Sequence, residues 1–326
     1  MNFNAWMLKS WLLAVVIVFG GWRASEAREP ESRVLLMHSY SSSFRWTDQV
    51  TGGFLARLAE LVPEAGVEVA YLDFFRPGAD PRTTFENIAR RVEAGDYDVV
   101  AVCDDDGIEL FRQNARRLPA EVPVVFLGWV GYDPEIRREF PNSTGLIQPV
   151  PVARTIELAL QCCDTPPSRI VVIVDRGPAG ERIYCDTVEW LKGRTLPPVD
   201  FWRGEDYSSA ELFTALEQLP ADSLAVYTGW YRAGLSDYAS CRGLGSQLAA
   251  LDRGAMFATM DNWLGQGMVG GVMCRGERHG REAADLVGRL LAGSAAAELP
   301  FAVGGVEAVV DWPQLRQEQL TDDRLP

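Results

Sequence analysis

Seven short apolar runs rich in valine recur along the chain, and most lead through a turn into a segment with helical spacing. Their apolar residues are continuous rather than alternating, which is typical of strands buried on both faces of a parallel sheet. The sequence therefore predicts a strand at each run. The runs are Arg33–Met37, Val67–Leu72, Asp98–Cys103, Val122–Gly128, Arg169–Val174, Ser223–Thr228 and Ala255–Met260.

Amphipathic segments separate these runs, so strands and helices alternate. Such alternation predicts βαβ units with right-handed crossovers, and hence a doubly wound α/β fold. The series divides into two similar halves near 142–150, and 326 residues suffice for two medium-sized lobes, each with its own parallel sheet. The predicted helices are Thr47–Leu61, Thr83–Ala94, Val152–Leu160, Gly180–Leu191, Ser209–Leu219 and Gly280–Leu291.

Composition and motifs argue against several classes of function. A formal charge of −14 repels phosphate backbones and anionic headgroups, which argues against nucleic-acid binding. Only two histidines and no CxxC pair are present, so we predict no metal site. The match of Gly265–Gly270 to GxGxxG lies late in the chain and lacks the first-strand context of a dinucleotide site. No P-loop or GxSxG motif occurs. We therefore predict no cofactor.

The N-terminus has the pattern of a secretory signal peptide. Lys9 precedes the uncharged run Ser10–Trp22, and small residues follow at Ser25 and Ala27, so residues 1–27 are predicted to be cleaved. Retention of this segment as a membrane anchor is the alternative. Either way, the sequence predicts a periplasmic protein. An oxidising compartment permits disulfides among the six cysteines, but the sequence does not choose a pairing.

Polar and aromatic residues follow the predicted strands. Because the carboxyl ends of parallel strands meet at one edge of a sheet, these segments should share the rim of a cleft for a small polar molecule. The alternative is that they cap helices and pack at domain edges. The segments are His38–Trp46, Asp104–Gly107, Trp129–Asp133, Asp175–Gly180, Gly229–Gly234 and Asp261–Gly267.

Several of these stretches resemble the ABC-transporter substrate-binding-like family. The resemblance covers nearly all of the chain after the signal peptide, and its most specific parts are the strand, turn and helix start of Val34–Phe54 and the Gly-rich run, helix and following residues of Met256–Gly293. The other similar stretches are Val99–Gly107, Val122–Asp133, Gly145–Leu160 and Val309–Leu320.

The resemblance implies a type I periplasmic-binding-protein fold, in which two α/β lobes joined by three crossovers close on a ligand. Lobe 1 is then expected at 28–145 plus about 263–293, and lobe 2 at 146–262 plus about 294–326. The glycine-rich stretch 265–271 is expected to be a crossover, where glycines absorb the rotation of closure.

The resemblance also implies a ligand site between the lobes, and we predict its residues from the strand ends. The predicted wall of lobe 1 is Ser39, Tyr40, Phe44, Trp46, Asp104, Asp105, Trp129 and Tyr132, and the facing residues of lobe 2 and the hinge are Asp175, Arg176, Trp230, Tyr231, Asp261 and Trp263. Carboxylates and rings favour a ligand bearing an amine, and Arg176 or a helix N-terminus could hold a carboxylate.

The leading hypothesis is a binding protein, not an enzyme. It would capture a small polar ligand, such as an amino acid or another nitrogen compound, for the membrane permease of an ABC importer. The alternative is a sensory binding protein that reports its ligand to a membrane kinase or cyclase. A secreted hydrolase that uses a carboxylate pair among Asp104, Asp175 and Asp261 is the third hypothesis.

Overall fold

The computed structural model of the protein describes residues 32–114, 119–231, 247 and 254–323. The predicted signal peptide therefore lies outside the described residues. Within the described part, none of the helices has the length and apolar character needed to cross a bilayer.

The first sheet contains six parallel strands in the order β11-β5-β4-β3-β1-β2. Its central strands are fully buried, which explains their continuous apolar sequence. The strands are β1 (Ser32–His38), β2 (Ala65–Tyr71), β3 (Val99–Cys103), β4 (Val124–Trp129), β5 (Ser143–Ile147) and, from much later in the chain, β11 (Ala302–Val303).

The second sheet also has six strands, in the order β12-β10-β9-β8-β6-β7. All neighbours are parallel except β12, which runs antiparallel to β10 at one edge. The strands are β6 (Ile170–Val174), β7 (Val199–Arg203), β8 (Leu224–Tyr227), β9 (Ala255–Ala258), β10 (Gly270–Cys274) and β12 (Val306–Val310).

Helices alternate with the strands in both halves, so the predicted doubly wound α/β fold is confirmed. All seven apolar runs are strands, and each of the six predicted helices is present within a few residues of its predicted ends. The helices are α1 (Arg45–Leu61), α2 (Pro81–Glu93), α3 (Asp105–Gln113), α4 (Ile136–Glu139), α5 (Val152–Gln161), α6 (Pro178–Leu191), α7 (Ser209–Glu217), α8 (Gly276–Leu291) and α9 (Trp312–Gln317).

The described chain passes between the two sheets at three places. It leaves the first sheet after Ile147, returns to it at Arg275 between β10 and α8, and leaves it again at Gly304 and Gly305. We therefore propose lobe boundaries near these residues. They differ from the sequence-based ones, because β10 belongs to the second sheet and β11 to the first.

The stretch 265–271 ends in a strand and is not the crossover that the sequence predicts. Gly270 and Gly271 begin β10 with φ of 150° and 155°, a region that favours glycine. An added Cβ on Gly271 would lie 2.0 Å from the carbonyl oxygen of Ala258 on β9. Glycine here permits close approach of neighbouring strands.

Helices α1 and α8 pack against each other at two glycines. A Cβ on Gly53 would lie 2.0 Å from the carbonyl oxygen of Glu277, and one on Gly280 would lie 2.1 Å from that of Val50. The backbones of α1 and α8 are therefore in direct contact where the two helices cross. This contact joins α8, which returns to lobe 1 late in the chain, to the first helix of that lobe.

Adjacent glycines of α1 offer a test of this close packing. Gly53→Ala is expected to lower the free energy of unfolding by about 1–3 kcal/mol, because backbone rather than a flexible side chain must move. Gly52, whose added Cβ would meet nothing within 4 Å, is the matched control. Gly52→Ala should raise stability by about 0.5–1 kcal/mol through helix propensity. Urea unfolding of both variants checks the prediction, and shifts of the same sign would contradict it.

Candidate ligand-binding site

A cleft of about 90 Å³ lies between the two sheets at the carboxyl ends of their strands. Both lobes contribute to its walls, and most of the exposed lining is apolar. The lining residues are Tyr40, Phe44, Trp46, Phe75, Asp104, Asp105, Gly128, Val130, Gln148 and Val150 on the side of lobe 1 and the first crossover, and Asp175, Arg176, Ala179, Gly180, Ile183, Thr228, Gly229, Tyr231 and Met260 on the side of lobe 2.

Asp104 is the most unusual group in this cleft. Its side chain is 4% exposed, and its Oδ1 accepts a hydrogen bond of 3.0 Å from the indole Nε1 of Trp46. Its Oδ2 has no hydrogen-bond partner among the described residues. Burial, with smaller contributions from the nearby carboxylates of Asp105 and Asp106, raises the pKa of Asp104 to about 8. The carboxyl group therefore has a donor to Oδ1, Trp46, but none to Oδ2 among the described residues.

The backbone holds Asp104 in a conformation that few residues adopt. Its φ is +67°, and its carbonyl oxygen accepts from the N–H of Ile108 in the first turn of α3. A Cβ on Gly128, at the end of β4, would lie 2.8 Å from Asp104 Oδ1, so only glycine leaves room for the carboxylate there. Behind it, the backbone N–H of Gly128 donates to Nε2 of the buried His279 over 2.9 Å. Local strain at a carboxyl that lines a cleft is typical of functional sites.

The side chains of Ser39 and Asp105, which neighbour Asp104, are hydrogen-bonded to backbone groups around this loop. The hydroxyl of Ser39 donates to the carbonyl oxygen of Cys103 over 2.8 Å and accepts from the N–H of Gly107 over 2.7 Å. Asp105 accepts from the backbone N–H groups of Val130 and Gly131, at 3.3 and 2.8 Å. These bonds fix the ends of β1, β3 and β4 relative to one another.

Aromatic rings from both lobes meet at the cleft. The ring of Tyr40 stacks on Phe75 with centroids 4.9 Å apart and meets the edge of Phe44 at 5.5 Å. From lobe 2, Tyr231 makes an edge contact with Phe44 at 5.6 Å and lies nearly parallel to Phe75 at 6.5 Å. The hydroxyl of Tyr40 donates to Asp106. These rings connect the lobes across the cleft.

The charged residues of lobe 2 are bonded to backbone groups. Asp175 accepts from the backbone N–H of Arg176 and from that of Tyr231, each at 2.9 Å. The guanidinium of Arg176 donates through Nε and Nη2 to the carbonyl oxygen of Gly204, at 3.1 and 2.8 Å. Asp175 therefore holds the backbone at Tyr231, while Arg176 connects the residues before α6 to the end of β7.

Of the fourteen predicted site residues, the structure places eight on the cleft: Tyr40, Phe44, Trp46, Asp104, Asp105, Asp175, Arg176 and Tyr231. Their contact with a ligand stays a prediction. The other six are Ser39, Trp129, Tyr132, Trp230, Asp261 and Trp263, which do not line it.

Three of these six are buried tryptophans, and a fourth, Tyr132, is a half-buried ring packed against the core. Trp129 packs with Phe126 and Tyr132 on the face of the first sheet that lies away from α1 and α8. Trp230 is fully buried, with its indole Nε1 donating to Ser209 Oγ over 3.0 Å, and Trp263 is buried against Tyr227. Successive residues at a strand end point in opposite directions, so only some of them can face the cleft.

Asp261, the last of the six, lies at the hinge. One of its oxygens accepts from Gln49 and Arg275, each at 3.3 Å, and the other lies 3.4 Å from the N–H of Gly276 at the start of α8. It therefore joins both lobes at the second crossover.

Sequence reasoning missed several lining residues. Phe75 follows β2, the one apolar run of lobe 1 whose end was not considered, although the same strand-end rule points to it. Gln148 and Val150 lie on the first crossover, which the boundary between the halves could have indicated. Gly128, Thr228 and Met260 end strands and carry no distinctive chemistry, so their sequence gives no signal.

No group of three or more potential metal ligands is found among the described residues. His38 is buried, and its Nε2 lies 2.9 Å from the hydroxyl of Thr51 rather than beside a serine. Cys103, Cys162 and Cys274 are free thiols buried in the interior. His38 thus has a structural partner, and the three thiols lie in the packed interior.

Comparison with known proteins identifies the fold. No protein-family model and no curated protein matches the chain. An ABC domain from Streptococcus pneumonia in complex with L-Trp matches with a TM-score of 0.66 at 11% identity, covering 89% of this chain and 95% of that chain. A ligand-free, open substrate-binding protein with adhesive properties from Clostridium difficile matches with a TM-score of 0.64 at 13% identity, covering 90% of this chain and 97% of that chain.

A LacI family transcriptional regulator from Bifidobacterium animalis also matches, with a TM-score of 0.54 at 14% identity over 85% of this chain and 95% of that chain. The chain thus has the two-lobed fold of type I periplasmic binding proteins, as the resemblance implied. Transport proteins and regulators share this fold, so function must be argued from the cleft.

Proposed function

We propose that the protein is an exported solute-binding protein, which closes its two lobes on a small nitrogen-bearing ligand and delivers it to the membrane permease of an ABC importer. The observation that carries this proposal is the buried Oδ2 of Asp104, which has no hydrogen-bond partner among the described residues and belongs to a residue that lines the interlobe cleft. A buried polar atom in a native protein is normally hydrogen-bonded, so a ligand that donates to this oxygen would complete the site.

The surroundings of Asp104 support binding rather than turnover. A reaction would need a nucleophile or base placed beside the ligand, whereas Asp105 and Asp175 are engaged by backbone N–H groups. An ABC domain with a similar fold is in complex with L-Trp, which is a nitrogen compound of the proposed kind. Export follows from the signal-peptide pattern of residues 1–27.

Filling the cleft tests the proposal without changing its charge. Ala179 lines the cleft at the first turn of α6, and Ala179→Trp would place an indole in a cavity of about 90 Å³. We expect a ligand found by a thermal-shift screen of small solutes to stabilise the unaltered protein by about 2.7 kcal/mol at a hundredfold excess over Kd, and to leave Ala179→Trp unstabilised.

Ala179→Ser is the matched control, since it adds only one oxygen at the same position, and it should keep the ligand response. The melting temperature of each unliganded variant shows whether the fold is intact. An equal ligand response in Ala179→Trp and Ala179→Ser would place the ligand elsewhere and contradict the proposal.

A further inference from the structure

The charged groups that line the cleft differ in how far they are already bonded. They are three carboxylates and one guanidinium: Asp104, Asp105, Asp175 and Arg176. Both oxygens of Asp105 and both of Asp175 accept backbone hydrogen bonds, and Arg176 donates to the carbonyl oxygen of Gly204. Among the oxygens of these carboxylates, the buried Oδ2 of Asp104 is therefore the one that has no hydrogen-bond partner in the described part of the chain.

A carboxylate on the ligand would find less support in this cleft. The positive end of α6 lies on the wall at Ala179 and Gly180, but acidic groups already face it. Glu181 in the first turn of α6 and Glu205 both pair with Arg203, and Glu205 also accepts from the N–H of Gly177 over 3.2 Å. The N–H of Gly177 therefore already has an acidic partner, and the lining carries three carboxyl groups against one guanidinium, which argues for a ligand with net positive charge rather than a zwitterion.

The remaining surface suits the apolar part of a cation. Five aromatic side chains line the cleft: Tyr40, Phe44, Trp46, Phe75 and Tyr231. Their faces attract cations, and alkylated ammonium groups in particular are bound by aromatic cages. A cation without any N–H would fit such rings but would leave the Asp104 oxygen without a donor.

We propose that the cleft selects a small alkylammonium ion that has no carboxylate and keeps at least one N–H. On binding, Asp104 gives up to solvent the proton that it holds in the unliganded protein, the N–H of the cation donates to Oδ2 of the resulting carboxylate, and the alkyl groups lie against the rings of both lobes. This inference rests on the proposed function, since it names the class of solute captured in the same cleft.

Pairs of probes that differ in one feature test this inference by calorimetry on the purified chain. Dimethylammonium and sarcosine differ in a carboxylate, whereas trimethylammonium and tetramethylammonium differ in the N–H. tert-Butyl alcohol is a neutral compound of similar shape. We expect dimethylammonium to bind at least tenfold more tightly than sarcosine, and trimethylammonium at least tenfold more tightly than either tetramethylammonium or the alcohol.

A pair of acid-to-amide variants assigns the effect to Asp104. Asp104→Asn should weaken binding of the alkylammonium ions at least tenfold. Glu109→Gln makes the same acid-to-amide change on the exposed face of α3 and should leave binding unchanged. Unchanged affinity in Asp104→Asn, or no binding by any of the ammonium ions, would overturn the inference.

Tighter binding of sarcosine, or of a neutral solute, than of the matching ammonium ion would overturn this inference alone. Solute capture between the lobes would still stand if Ala179→Trp abolished binding of that other solute. Failure of the ligand class and failure of the proposed function are thereby separated.

Discussion

Replacing Trp230 with alanine is expected to lower the free energy of unfolding by about 3–5 kcal/mol, the usual loss when a large buried ring is removed. Trp230 is fully buried in the core that spans the second sheet and α7, and its indole N–H donates to Ser209 Oγ. The variant loses both the packing of the ring and the hydrogen bond, and it leaves a cavity beneath the cleft. Urea unfolding followed by circular dichroism measures the change.

Trp312 provides the matched control, because it is the same residue type but 48% exposed at the start of α9. Trp312→Ala should cost less than about 1 kcal/mol. Trp230→Phe should fall between the two, since it keeps a ring but loses the N–H donor. If Trp230→Ala and Trp312→Ala unfolded at the same urea concentration, the buried position of Trp230 would be refuted.

Trp230 also shows what can and cannot be predicted from the position of a residue at the end of a strand. The sequence predicted that the residues after β8 line a ligand site, because ends of parallel strands share one edge of a sheet, and the structure places Gly229 and Tyr231 on the cleft. It could not show that Gly229 and Tyr231 face the cleft while Trp230 points into the core. The direction of a side chain depends on the backbone angles at the strand end, such as φ of 145° at Gly229, and composition does not fix these angles.

The fold was easier to predict from the sequence than the site was, and the reason is physical. Burial on both faces imposes continuous apolarity on strands such as β3 and β6, and that pattern is readable without any partner. Strand β10 was missed because its glycines reflect close approach of β9 and β12, a tertiary requirement that resembles a flexible crossover in sequence. Likewise, Asp104 and Asp105 are adjacent aspartates that the sequence does not distinguish. Only the structure shows that Asp105 accepts backbone hydrogen bonds, whereas Oδ2 of Asp104 has no hydrogen-bond partner among the described residues.

The stability of the protein is expected to fall as the pH drops below about 6.5, because two histidines are buried as neutral rings. Burial lowers the pKa of both His38 and His279 to about 3. His279 accepts the N–H of Gly128 through Nε2, so the neutral ring carries its proton on Nδ1. Between pH 6.5 and 3 the unfolded chain binds these protons and the folded chain does not, so stability is lost as the pH falls.

Asp104 opposes this effect over part of the same range. Its pKa of about 8 in the folded protein exceeds the ordinary 3.8, so the folded chain holds an extra proton between those values. Its contribution therefore favours folding increasingly as the pH falls from 8 towards 3.8. Two histidines against one carboxyl leave a net loss of about 1.4 kcal/mol per pH unit between pH 6.5 and about 5. Below that range Glu60, Glu68, Glu139 and Glu211, whose pKa is lowered in the folded protein by hydrogen bonds, add to the loss.

Variants that remove one titration at a time check both signs. His279→Gln keeps an oxygen that can accept the N–H of Gly128, and it should reduce the slope to near zero because one histidine and one carboxyl then cancel. Asp104→Asn removes the opposing group and should steepen the slope to about 2.8 kcal/mol per pH unit. The measurement is the free energy of unfolding in urea at a series of pH values without ligand. Equal slopes of unfolding free energy against pH in the unaltered protein and the two variants would show that these buried groups do not govern the loss of stability in acid. The expected order of slopes would assign that loss to the histidines and the opposing contribution to Asp104.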